Sequence, residues 1–127
     1  MSDIAAVLVH VPDVVAGLSW YRRAFPQATV ARSLPTDFAY LQLDGGTRIE
    51  LVFADEKVAS GAAGSVVYWR VDDFPAALAH LEGVGARLYR GPMRIDDDLW
   101  MCQVRDPWGN CIGIRGPKPE TGRDSPA

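Results

Sequence analysis

The 127-residue chain has little of what marks several broad protein classes. It carries two cysteines, Cys102 and Cys111, too few for a disulfide framework. No apolar run approaches the roughly 18 to 20 residues that span a bilayer. The opening "MSDIAAVLVHVPD" has no basic n-region and no cleavage-type end, so no signal peptide is expected and a cytoplasmic protein is. Basic residues are not in excess either: 13 Lys and Arg stand against 16 Asp and Glu, a net charge of −3. That balance gives no support to nucleic-acid binding, which normally needs a concentrated basic face. What the chain does have is a 48% hydrophobic, 23% charged composition, which suits one domain with a modest core over residues 1–116. The closing "GPKPETGRDSPA" has almost nothing to bury, and residues 117–127 are expected to form a disordered tail.

Repeats fix architecture, so they come first. Setting "VHVPDVVAGLSWY" (9–21) over "WRVDDFPAALAHL" (69–81) aligns Val11 with Val71, Asp13 with Asp73, Ala16 with Ala76 and Leu18 with Leu78. Further on, "GTRIEL" (46–51) falls on "GNCIGI" (109–114). Each half opens with a short apolar strand, "AAVLVHV" or "SVVYWRV". An aspartate then caps a helix: Asp13 in the first half, Asp72 or Asp73 in the second. Val14, Leu18 and Tyr21 recur at helical spacing, as do Phe74, Leu78 and Leu81. Pro75 suits a first helical turn, and Gly83 and Gly85 suit an end. Three strands follow in each half, "ATVARSL", "FAYLQLD" and "TRIELVFA", then "ARLYRG", "LWMCQVRD" and "NCIGIRG". Turn chemistry at "DGG" and "DPWG" separates the last two of each set. The predicted unit is βαβββ, used twice, over about 4–54 and 64–116, in an α+β protein.

With "HVPDVVAGLSWYRRAF", "GTRIELVF", "WRVDDFPAALAHLEGVGARL" and "RDPWGNCIGI" in place, the sequence resembles the vicinal-oxygen-chelate superfamily. That superfamily includes glyoxalase I, extradiol dioxygenases, fosfomycin-resistance enzymes and bleomycin-binding proteins. The resemblance implies two modules whose curled sheets form a cup, commonly completed by a second identical chain, so a homodimer is expected. It also implies a divalent metal in catalytic members, held by one ligand from the first strand and one from the last strand of each module. The matching positions here are Ala6, Glu50, Val66 and Gly113. Three of the four cannot coordinate, and a catalytic metal usually keeps about three protein ligands, so no metal or other cofactor is expected.

Strand alternation places residues an even number of positions from those four on the cup face. The candidate ligand-binding set is therefore His10, Arg48, Glu50, Tyr68, Arg70, Cys111 and Arg115, with Trp100 joining if its strand faces that way and Met101 facing inward if it does not. Arginine forks match carboxylate and phosphate and stack on rings, and tyrosine adds an apolar body with a hydroxyl. Cys111 has no histidine close in sequence and reads as a small hydrophobe rather than a nucleophile. The run Asp96–Asp98 reads as a solvated loop rather than a metal motif.

Two functions fit. One is a metal-independent protein that binds an anionic or aromatic small molecule, as bleomycin-resistance proteins bind a drug. The alternative is a glyoxalase-like lyase, isomerase or dioxygenase-related enzyme in which Glu50 is the base and an arginine stabilises an enolate-like anion.

Overall fold

The computed structural model describes residues 4–33, 38–61, 63, 66–96 and 98–119. The chain divides into two compact units, residues 1–61 and 62–127. Each contains one helix and one four-stranded sheet.

In the first unit the order is β1 (Ala6–Val11), α1 (Val14–Ala24), β2 (Thr29–Ser33), β3 (Phe38–Gln42) and β4 (Arg48–Phe53), with a short 3-10 turn at Asp44–Gly46. The sheet order is β1-β4-β3-β2, with β1 parallel to β4 and the other pairs antiparallel. Asp13 caps α1: its carboxylate accepts the Ala16 amide at 3.1 Å, filling one of the donors that a helix start leaves open. The helix lies close on the sheet because Gly17 has no side chain. A Cβ there would stand 2.9 Å from Val11 Cγ2 and 3.2 Å from Leu51 Cδ1. Val11, Leu41, Ile49 and Leu51 form the sheet half of the core, and Trp20, Tyr21 and Ala24 form the helix half. Tyr21 stands edge-on to Trp20 and stacked on Phe25, with centroids 5.0 and 6.0 Å apart. The odd-numbered positions of β1 and β4 are thus spent on the helix, and the even-numbered ones face away from it.

The second unit repeats the order as β5 (Tyr68–Arg70), α2 (Phe74–Gly83), β6 (Arg87–Asp96), β7 (Leu99–Arg105) and β8 (Cys111–Gly116), with sheet order β5-β8-β7-β6. Asp73, not Asp72, is the N-cap, accepting the Ala76 amide at 3.1 Å. Phe74, Leu81, Cys102, Val104, Ile112 and Ile114 are buried together under the helix side.

Two strands depart from expectation. The first strand of this half is only three residues long, so Val66 lies ahead of it rather than within it. Residue 65, where that strand was expected to start, lies outside the described residues. The strand expected to end at Gly91 instead runs to Asp96. "GP" reads as a strand stop, but β6 is a sheet edge, where bulges absorb such residues. The register shifts twice around Gly91 and Pro92, with Gly91 at φ +84°. The expected loop at 96–98 is correspondingly shorter: Asp96 ends β6, and Asp97 lies outside the described residues. Most of the expected tail, residues 120–127, lies outside them too.

The hairpin joining β7 to β8 is held by one buried carboxylate. Asp106, 4% exposed, accepts the amides of Trp108 and Asn110 at 2.8 Å each through Oδ1. Its Oδ2 accepts the Asn110 side-chain amide at 3.0 Å, and Gly109 takes φ +91° to close the turn. Asp106→Ala leaves these donors without acceptors, and each buried orphan costs about 1–3 kcal/mol. The midpoint of urea unfolding should fall by an amount equivalent to about 2–3 kcal/mol at unchanged m-value.

Candidate functional site

The face of each sheet opposite its helix is where the polar and aromatic side chains gather. In the first unit Ala6 pairs with Arg48, Leu8 with Glu50 and His10 with Val52. Across the other ladder Gln42 pairs with Arg48, which brings Tyr40 beside Glu50. Arg48 joins the group: its Nε donates to Glu50 Oε2 at 2.7 Å, and its guanidinium carbon lies 3.6 Å from the centre of the Tyr40 ring. Phe38 continues the aromatic strip, 6.4 Å from Tyr40. His10 is half-buried at the end of this row, and its carbonyl accepts the Ser60 hydroxyl at 2.6 Å.

In the second unit, register places Tyr68 opposite Gly113 and Gly113 opposite Gln103. The Tyr68 ring lies directly over Gly113. A Cβ at 113 would stand 2.6 Å from Tyr68 Cδ1 and 2.8 Å from Cε1, closer than real side chains come. The ring is fixed at its other points as well. Gln103 Nε2 donates to the Tyr68 hydroxyl at 2.7 Å, and the Arg115 guanidinium sits 4.4 Å from the ring centre. Cys111 lies beside Gln103, with Sγ 4.0 Å from Oε1. Arg70, opposite Arg115, is exposed.

Of the expected set, the structure brings Arg48 and Glu50 together on one sheet, and Tyr68, Cys111 and Arg115 on the other. Trp100 does not belong. It pairs with Gly116 while Met101 pairs with Arg115, so Met101 takes the open face. Trp100 points the other way, 6.5 Å from Phe74 of α2, with the Lys118 ammonium 4.7 Å from its ring centre. Met101 was the alternative to Trp100 that the sequence left open; two further participants, Tyr40 and Gln103, escaped the sequence reading. Both lie on middle strands, whereas the candidate set, Trp100 aside, came from first and last strands. The alternation of "FAYLQ" did carry the signal for Tyr40, since Leu41 is buried and its neighbours must face away.

The resembled superfamily implies a metal, and these residues do not fit one. Glu50 is already engaged by Arg48, Ala6 and Val66 offer no donor, and the space above Gly113 is filled by a tyrosine ring. Among the described residues no three His, Cys, Asp or Glu come together in a way that could hold an ion. Nor are the thiols activated. Burial pushes the Cys102 thiol up to about 11, with the Glu82 charge adding to the rise. Burial also raises Cys111; Arg105 partly offsets this and Asp106 adds to it.

This geometry, two βαβββ units with a parallel first-to-last strand pair in each, is the vicinal-oxygen-chelate fold. Solved structures agree. An antibiotic-binding protein, TnmS3 from Streptomyces sp. CB03234, superposes with a TM-score of 0.69 at 24% identity, covering 93% of this chain and 98% of its own. A glyoxalase/bleomycin resistance protein/dioxygenase family enzyme from Burkholderia phytofirmans PsJN gives 0.70 at 21% identity, over 91% and 99%. A member of the same superfamily from Sphaerobacter thermophilus DSM 20745 gives 0.71 at 14%, over 91% and 98%. No protein-family model and no curated protein matches the sequence. Among the described residues no helix is long and apolar enough to cross a membrane.

Two outcomes follow from the packing. Gly113→Ala should destabilise the fold by about 1–3 kcal/mol through overpacking against Tyr68. In a double-mutant cycle with Tyr68→Leu measured by chemical denaturation, the combined loss should be smaller than the sum of the two single losses, because the clash is shared. For Cys102, a raised folded value means that stability is fully present below the ordinary thiol range. It is lost as pH climbs from 9 toward about 11. The stability difference between the wild type and Cys102→Ala should therefore shrink between pH 8 and pH 11 in urea titrations.

Proposed function

We propose that this protein is a metal-independent small-molecule-binding protein that holds an anionic or aromatic ligand against the sheet faces opposite its helices. The observation that carries the reading is the Tyr68 ring packed over Gly113. Where the resembled enzymes place a metal-binding carboxylate, this chain places a flat aromatic surface backed by Gln103 and Arg115. Such a surface binds by stacking and by charge, and neither contribution needs an ion. The likeness in fold to an antibiotic-binding protein supports it. The reading includes a homodimer in the cytoplasm. Leu8, 51% exposed, gives the open face of the first sheet an apolar contact for a second copy.

The alternative, a lyase or isomerase with Glu50 as base, requires a carboxylate free to take a proton. Arg48 Nε occupies one of its oxygens at 2.7 Å, which favours a positioning role: Glu50 holds Arg48 over Tyr40.

The test is calorimetric titration with aromatic acids and aromatic antibiotics, in the presence and absence of a chelator, alongside elemental analysis of the purified protein. Binding should persist unchanged on chelation, without turnover, and Glu50→Gln should weaken it less than tenfold. Stoichiometric zinc, nickel, manganese or iron, or binding that disappears on chelation and returns with the ion, contradicts the reading. Turnover that Glu50→Gln abolishes while leaving affinity intact establishes the alternative.

A further inference from the structure

The open face of the second sheet is unusually cationic for a chain with a net charge of −3. Beyond Tyr68 and Arg115, register sets Arg87 directly opposite Arg105, and Arg90 opposite Gln103. Like charges facing each other across a ladder destabilise it, and the acid next in sequence, Asp106, has both oxygens engaged in the hairpin turn. Strands β5, β7 and β8 contain no Asp or Glu, and the one acid of β6 is Asp96 at the far end, paired with Leu99. Arg105 is the centre of the group. Its guanidinium lies 4.0 Å from the centre of the Tyr89 ring, the extra residue where the β6 register shifts. Its Nε is buried and has no hydrogen-bond acceptor. A buried N–H of an arginine without an acceptor is a costly feature, and an oxyanion is a group that would satisfy it.

We propose that Arg105, flanked by Arg87 and Arg90, forms an oxyanion subsite for a carboxylate or phosphate group. The inference deepens the proposed function and rests on it in one respect. Arg105 pairs with Cys111, two positions along β8 from Gly113, which places the subsite about 7 Å from the Tyr68 surface at roughly 3.4 Å per residue. The ligand is then an aromatic compound with an acidic substituent: its ring lies on Tyr68 and its acid group is gripped by Arg105. Arginine suits this task because its fork matches a planar oxyanion in two bonds. The bulge at Tyr89 gives the group its shape. It moves Arg90 onto the face of Arg87, and the Tyr89 ring beside them holds the Arg105 guanidinium in place.

The experiment titrates three probes, 2-naphthoate, its neutral analogue 2-naphthamide and inorganic phosphate, into the wild type and four variants. Arg105→Gln and Arg87→Gln should weaken 2-naphthoate and phosphate at least tenfold and fivefold respectively, and leave 2-naphthamide within twofold. Tyr68→Leu should weaken both naphthalene compounds and spare phosphate. Arg22→Gln on α1 should change nothing. Arg87 is exposed, so its variant keeps the test valid if Arg105→Gln lowers stability. Phosphate that binds, and is lost in both arginine variants, without either naphthalene compound binding sustains the subsite and refutes the aromatic reading. Naphthoate and naphthamide binding with equal affinity, or naphthoate unaffected by both variants, overturns the subsite. Failure of all three probes overturns both.

Discussion

A tyrosine ring resting on a glycine backbone is the contact on which the open face of the second sheet depends. The glycine supplies the room, since any Cβ at 113 would overlap the ring. The register supplies the partner, because Tyr68, Gly113 and Gln103 form one continuous row across three strands. Arg115 and Gln103 then fix the ring from its face and its hydroxyl. The hydrogen bond and the cation–π contact are each worth only about 1 kcal/mol. Together with the glycine seat they leave the side chain one orientation, and a preordered aromatic surface loses less entropy when a ligand arrives.

The two units solve the same geometric problem with different residues. In the first, Glu50 faces Leu8; in the second, Gly113 faces Tyr68. Bulk has moved from the last strand to the first. A carboxylate that keeps its place without an ion needs another counter-charge, and Arg48 provides one from two positions away on the same strand. The partly exposed Arg48–Glu50 pair adds little to stability. Its effect is local: it directs a guanidinium onto Tyr40 instead of into solvent.

Much of this was legible in the amino-acid order. The Asp caps, the Pro75 start, the apolar stripes and the "DPWGN" turn are local signals, and each element they mark is present at nearly the expected bounds. The hydrophobic alternation of β1 and β4 also assigned the even-numbered positions correctly to the open face. The failures share one cause. The side of Trp100 and the length of β6 are both questions of register, set by cross-strand neighbours far away in sequence. Around "GP" at 91–92 the strand shifts by a bulge rather than ending, and no count of alternating residues along one strand reports that.

A second register shift, at Tyr89 between Leu88 and Arg90, shows why the arginines of β6 were not seen as part of a site. Read as plain alternation, Arg87 and Leu88 through Gly91 describe an ordinary edge strand with solvated charges, the usual protection of an edge against pairing. The shifted register changes the meaning of those residues. Arg87 and Arg90 both fall on the open face although they lie three apart, an odd spacing that regular pleating would split between faces. Protection of an edge requires only that charge be present. It does not require two arginines opposite each other, one of them with an Nε buried without an acceptor. Those features cost stability unless a negative group completes them, and so the bulge is better understood as an element that builds the face than as a flaw in the strand.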